Sequence, residues 1–155
     1  NSSETFRSSY FITEEIIHEI STFTSHKKIV MMVQDTKIII EIIHEGHNLD
    51  SFIDILLYTI AFIVNFAEHS IHTIKITYGL SSHEKKIKKP ELKLGKKEIN
   101  SGSTDYADCK ILIWRIEDIL KVTIHELIHC LSYDYKSDSM RCISHFNKLY
   151  SFNLK

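Results

Sequence analysis

The sequence predicts an α+β fold, on three observations. The chain has 155 residues, enough for one domain with a real hydrophobic core. Its apolar residues switch repeatedly between helical and strand-like spacing. Most strand-like segments are close neighbours in sequence and can pair locally. The expected arrangement is a single domain over residues 1–155. It would hold a small mixed β-sheet backed by a buried helix, with a further helix turned toward a cleft.

Each element has its own signal. Residues 1–10 are polar and are expected to fray. Ile12 to about Thr24 reads as a short helix, with Thr13, Glu14 and Glu15 at its start. Lys28–Gln34 and Lys37–Glu45 read as strands joined near Asp35-Thr36, and their nearly continuous apolar character predicts burial on both faces. Gly46 ends the second of them. Ser51 and Asp54 fit a capping box for a helix running to about Glu68. That helix is apolar nearly all round, which places it deep in the domain. Its longest apolar run, Ile55–Val64, is far below the ~20 residues of a membrane span. His72–Tyr78 alternates, with Ile74, Ile76 and Tyr78 on one side and Thr73, Lys75 and Thr77 on the other.

Ser81–Ser103 is the one long irregular stretch. Lys85, Lys86, Lys88, Lys89, Lys93, Lys96 and Lys97 are interrupted there by Glu84, Glu91 and Glu98. It reads as a solvated loop or protruding hairpin, with a lid or a docking patch for an acidic partner as the functional alternative. Gly102, in Asn100-Ser101-Gly102-Ser103-Thr104, marks a turn or a close backbone approach. Cys109–Trp114 is a further strand, and Arg115 to about Tyr133 contains neither Gly nor Pro. There Ile116, Leu120, Ile124, Leu127 and Leu131 form an apolar stripe, while Asp118, Val122, His125 and His129 fall on another face. Glu117 and Lys121 make an i,i+4 pair in the favourable order.

Composition narrows the function classes. The net charge of −1 gives no general attraction to nucleic acid or to a membrane surface, so neither is an expected partner. Cys109, Cys130 and Cys142 are odd in number and loosely spaced. They do not read as a disulfide framework, which predicts a reducing, intracellular compartment. Asn1-Ser2-Ser3 fits a glycosylation sequon, a weak signal at a terminus. The pairs His44/His47 and His69/His72 fall at element ends and read as solvated.

The chemistry is concentrated in His125-Glu126-Leu127-Ile128-His129, an H-E-x-x-H sequence. Residues four apart on a helix are neighbours on one face, so both imidazoles can reach one Zn²⁺ ion. Glu126 can then act as general base toward a water polarised by the metal. With ten His in the chain, the five residues alone would arise by chance in roughly one such chain in twenty, so the flanks carry the weight. Val122, Thr123, Ile124, Cys130 and Leu131 are all uncharged, and a lysine or arginine there would repel a metal. They match the extended pattern of the zincin metallopeptidases.

A catalytic zinc takes three protein ligands. No Glu follows Glu126, so the downstream glutamate of one zincin class is absent from the chain. Ser132 and Tyr135 stand where another class needs Gly and His. Asp134 is the leading third-ligand candidate if the helix unwinds near Ser132, and it is also a candidate second carboxylate orienting a histidine. Asp138 and His145 are later candidates, as is a ligand beyond Lys155. Tyr133, Tyr135 or His145 could donate to an oxyanion. A structural zinc on Cys130, Cys142 and His145 fits no common ligand spacing.

Trp114-Arg115-Ile116-Glu117-Asp118, Lys121-Val122, His125–His129 and Asp134 together resemble the zincin-like metallopeptidases encoded by large DNA viruses. The Asn100-Ser101-Gly102 element and the strand before the helix are similar as well, over about residues 70–135. The resemblance implies a zincin N-terminal subdomain in which an edge strand, Lys97–Asn100 or Cys109–Trp114, binds an extended peptide. It also implies a glutamate ligand further downstream. A chain ending at Lys155 without it is either truncated or has lost a ligand.

The function expected is zinc-dependent hydrolysis of a peptide or protein, with His125, His129 and Asp134 on the metal and Glu126 as the catalytic base. The alternative is a catalytically inactive zincin-fold structural or interaction protein, for example a minor capsid component with viral-particle partners.

Overall fold

In the computed structural model, residues 2–46, 49–67, 71–85 and 99–132 are described. They form a mixed α+β domain around a five-stranded sheet. The elements are α1 (Ser2–Arg7), α2 (Glu14–Thr22), β1 (Ser25–Val33), β2 (Thr36–His44), α3 (Asp50–Asn65), β3 (Thr73–Ser81), β4 (Gly102–Asp105), β5 (Lys110–Arg115) and α4 (Ile119–Cys130). The strand order is β1-β2-β3-β5-β4, so β1 and β4 are the edges. β2, β3 and β5 run parallel, with β1 and β4 antiparallel to their neighbours.

Alternation along the strands splits the core into two layers. Ile38, Ile40, Ile42, Ile74, Ile76, Tyr78, Ile111 and Ile113 pack under α3 and α4. The other face meets α1 and α2 through Ile43, Trp114 and the partly buried Leu112. Gly79 permits that second contact, because a Cβ there would stand 2.6 Å from Ile20 Cδ1 and 2.8 Å from Phe6 Cζ. Residues 2–7 therefore do not fray. Phe6 is fully buried, and one large ring in a polar segment is enough to dock α1.

Several expectations change. β1 is an edge strand, so Val30 and Met32 remain exposed rather than buried on both faces. α3 covers the sheet with Ile53, Leu56, Ile60 and Val64, while Ile55, Tyr58, Phe62 and Phe66 on its outer side are exposed. The Ser51 capping box does not form, because the N-cap is Leu49 and no side chain caps the helix. α4 begins at Ile119 rather than Arg115, since Arg115 is still in β5 and residues 116–118 turn the chain. Its buried side is Ile119, Thr123, Glu126, Leu127 and Cys130, a face rotated from the expected stripe.

Cys109 and Cys130 are joined by a disulfide, with Cα atoms 5.3 Å apart. The sequence reading treated the cysteines as unpaired. A separation of 21 residues is closed only when α4 folds back over the start of β5. The pairing takes Cys130 out of the structural-zinc reading.

A polar clasp joins α2 to the end of β3. The Glu19 carboxylate accepts the Ser81 hydroxyl, the Ser82 hydroxyl (2.8 Å) and backbone N–H (3.1 Å), and lies 2.6 Å from His83 Nδ1. Burial pushes the Glu19 pKa up, but these hydrogen bonds outweigh it and hold the group at about 2, against the ordinary 4.5. A depressed carboxylate stabilises the fold fully above its unfolded pKa and loses that contribution as the pH falls through the folded value. The stability advantage of the native chain over Glu19→Gln should therefore narrow between pH 4.5 and about 2. Thermal unfolding of both across that range checks it, and a gap independent of pH would contradict it.

Candidate metal centre

α4 is fixed against the sheet before it presents any chemistry. Thr123 Oγ1 donates to the Ile119 carbonyl (2.7 Å) and so accepts from the Tyr78 hydroxyl (3.0 Å) in the core. Burial raises the Tyr78 pKa, keeping the phenol protonated as the donor. Leu127 is fully buried, and Cys130 is tied to Cys109. At the helix start, Asp118 pairs with Lys85, and Glu117 accepts the Lys85 backbone N–H at 3.0 Å. The hydrogen bond from Lys85 holds the Asp118 carboxyl below its ordinary pKa.

With one face of α4 committed to the core, His125 and His129 turn outward on the next. Their Nε2 atoms lie 3.0 Å apart and their ring centroids 4.5 Å apart. That separation is a hydrogen bond between the two rings. Two Zn–N bonds of about 2.0–2.1 Å at a tetrahedral angle would place such nitrogens roughly 3.3 Å apart, so an ion could replace the shared proton after a small opening of the pair. Tyr106 packs edge-on to His129, with ring centroids 6.0 Å apart. Among the described residues no group of three or more His, Cys, Asp or Glu comes together as a metal site.

Glu126 is only 7% exposed. Thr104 Oγ1 donates to its Oε2 at 2.6 Å, while Oε1 faces the glycine at position 102. A Cβ at Gly102 would lie 3.0 Å from Oε1 and 2.6 Å from Val122 Cγ1. The close approach expected at Gly102 is thus a contact between the edge strand and the H-E-x-x-H helix. Thr104 is the residue the sequence reading missed. β4 is a short polar Gly-Ser-Thr-Asp segment with no apolar alternation, and only the β-branched Thr104 hinted at a strand.

β4 and α4 are walls of a cleft of about 710 Å³, which Phe11, Lys85, Ile99, Tyr106 and Lys121 also line. Of the two edge-strand candidates, Cys109–Trp114 is displaced, because β5 lies inside the sheet between β3 and β4. In the other, Ile99 and Asn100 are outside any strand and Lys97 lies outside the described residues. Arg115, 3% exposed, ties the cleft's rear by donating to the His83 carbonyl (2.7 Å) and the Asn100 carbonyl (3.2 Å). The Ser101 hydroxyl is buried in the same wall without a hydrogen-bond partner among the described residues.

α4 stops at Cys130, with Leu131 as its cap and Ser132 at φ +56°. The chain therefore leaves the helix before Asp134, as a returning carboxylate would require. Asp134 itself, with Tyr133, Tyr135, Asp138, Cys142 and His145, lies outside the described residues, as do His47 and His69. The chain matches no protein-family model, no curated protein and no solved structure.

Proposed function

We propose that this chain is a zinc-dependent peptide hydrolase of the zincin type. The observation that carries the reading is the convergence of His125 and His129 Nε2, 3.0 Å apart, beside the buried Glu126. His125 and His129 would hold Zn²⁺, with Asp134 as the proposed third ligand. When bound, the ion would supply Lewis-acid activation of water and of the scissile carbonyl. Glu126 takes the water's proton on Oε1 and returns it to the leaving amine. Thr104 holds Oε2, so the carboxylate does not have to reorganise as the proton moves. β4 offers a strand edge beside the helix that is unpaired among the described residues, to which an extended peptide backbone can hydrogen-bond.

A second reading is a zincin-fold structural or interaction protein without activity, which would keep the same sheet and helix and hold no catalytic metal. A virion is the setting proposed for either reading. It suits the Cys109–Cys130 bond, since disulfides persist where thiols are not kept reduced. No helix among the described residues is long and apolar enough to cross a membrane.

Cleavage of a mixed peptide library separates the two readings. Hydrolysis that is lost on chelation and restored by zinc is expected. A zinc-loaded chain that cleaves nothing would leave the scaffold reading in its place.

A further inference from the structure

Away from the cleft, the opposite edge of the sheet carries two features that need covering. The first is β1, nine regular residues that pair, among the described residues, on one side only, with β2. Ile29 to Val33 holds no charge, proline or bulge, the usual devices that keep an edge from pairing. The second is the outer stripe of α3. Tyr58 is 79% exposed, Phe62 67% and Phe66 62%, and the Phe62 and Phe66 rings stack with centroids 5.0 Å apart.

The two features lie side by side. α3 runs parallel to β1, joined by Lys27–Asp50 (3.3 Å) at one end and by Gln34 donating to the Asn65 carbonyl (3.1 Å) at the other. Between Val33 and the Tyr58 and Phe62 rings lies an open hollow of about 610 Å³. On the far face of β1, Val30 and Met32 are 53% and 61% exposed.

We infer that this edge pairs with a second copy of the same chain, β1 against β1, antiparallel about a twofold axis at Met31. Charge selects that arrangement. Lys27 and Lys28 crowd one end of β1, while its other end, Val33 and Gln34, is uncharged. Antiparallel pairing sets Lys28 opposite Gln34, Ile29 opposite Val33 and Val30 opposite Met32. Parallel pairing would stack lysine on lysine, which is destabilising across a ladder. The same twofold brings the two α3 helices together on one face, so each hollow can receive an aromatic ring of the other copy. Area is consistent with this. Aromatic side chains carry about 150–250 Å² each, so the exposed parts of Tyr58, Phe62 and Phe66, with Val30 and Met32, come to roughly 600 Å² per copy. A stable interface buries about 800 Å² per partner, and the paired β1 backbone adds the remainder. The interface is isologous and closes on itself, which removes the open edge without propagating a fibre.

Sedimentation of the 155-residue chain at about 100 µM tests the inference, a concentration at which a micromolar dimer would be nearly complete. A species of twice the 18.1 kDa chain mass is expected. Val30→Glu with Met32→Glu places acids opposite acids and should give a folded monomer whose melting temperature, unlike that of the native chain, does not depend on concentration. Val30→Glu with Met32→Lys places each acid opposite a base and should restore the dimer. Tyr58→Glu, at an exposed site, should weaken association at least tenfold. A monomeric native chain would overturn the inference, including one that dimerises only after removal of residues 133–155, because the stripe would then belong to the chain's own end. A dimer that survives the double glutamate exchange, or two double variants that behave alike, would overturn it as well.

Discussion

Glu126→Gln should lower peptide hydrolysis by about 10²–10⁴-fold while leaving zinc binding and stability close to native. The substitution changes almost nothing in shape. The glutamine carbonyl can still accept the Thr104 hydroxyl that now reaches Glu126 Oε2 at 2.6 Å. His125 and His129 are untouched, so the convergence of their nitrogens is retained. What disappears is the proton acceptor, since a neutral amide takes no proton from water near neutral pH. The three readouts are kcat on a cleaved peptide, zinc per chain, and the melting temperature. Full activity in this variant would remove Glu126 from the mechanism. Loss of zinc alongside activity would show a structural defect rather than a chemical one.

Gly102→Ala should destabilise the fold and disable the site together. The new methyl would meet Val122 Cγ1 at 2.6 Å and Glu126 Cγ and Oε1 at 3.0 Å. Val122 is β-branched and stiff within a helix, so it does not turn aside easily. α4 cannot retreat, because the Cys109–Cys130 bond, the Tyr78–Thr123 hydrogen bond and buried Leu127 hold it to the sheet. The displaced element is then the Glu126 side chain or β4 itself. Overpacking of this kind costs about 1–3 kcal/mol. A displacement near 1 Å at a catalytic group can reduce turnover by about 10²-fold. Denaturant unfolding measures the first effect and kcat the second. A variant with native stability and native turnover would show that β4 does not press on Glu126.

Much of this architecture could be read from residue order, and the exceptions share a cause. The start of β3 was legible because Ile74 and Ile76 face one core layer while Thr73 and Lys75 face away from it, and burial on one face enforces alternation. The α4 helix was legible from a run free of Gly and Pro with helical apolar spacing, but not which face of it is buried. Ile119 and Leu127 point into the core while Ile128 does not, and that choice is made by the tilt of α4 on the sheet. α3 misled in the opposite sense. A helix apolar all round implies burial, yet its outer stripe is exposed among the described residues. An apolar surface need not be covered by its own chain.

At the site, the spacing of His125 and His129 placed the two imidazoles on one helix face, and their Nε2 atoms lie 3.0 Å apart. The residues that set their surroundings were not legible in this way. Thr104, Gly102 and Arg115 act through contacts across 22, 24 and 15 residues of chain, respectively to Glu126, to Glu126 and to the Asn100 carbonyl. No local period encodes such contacts. The Cys109–Cys130 pair escaped for the same reason.

The most direct test of the central claim is the zinc content of the purified chain and of His125→Ala and His129→Ala, measured by elemental analysis after dialysis against trace zinc. The two imidazoles predict one zinc per native chain and a loss of most of it in either variant, with the fold retained because neither ring is part of the core. A native chain that carries no zinc, or zinc that persists in both variants, would contradict it.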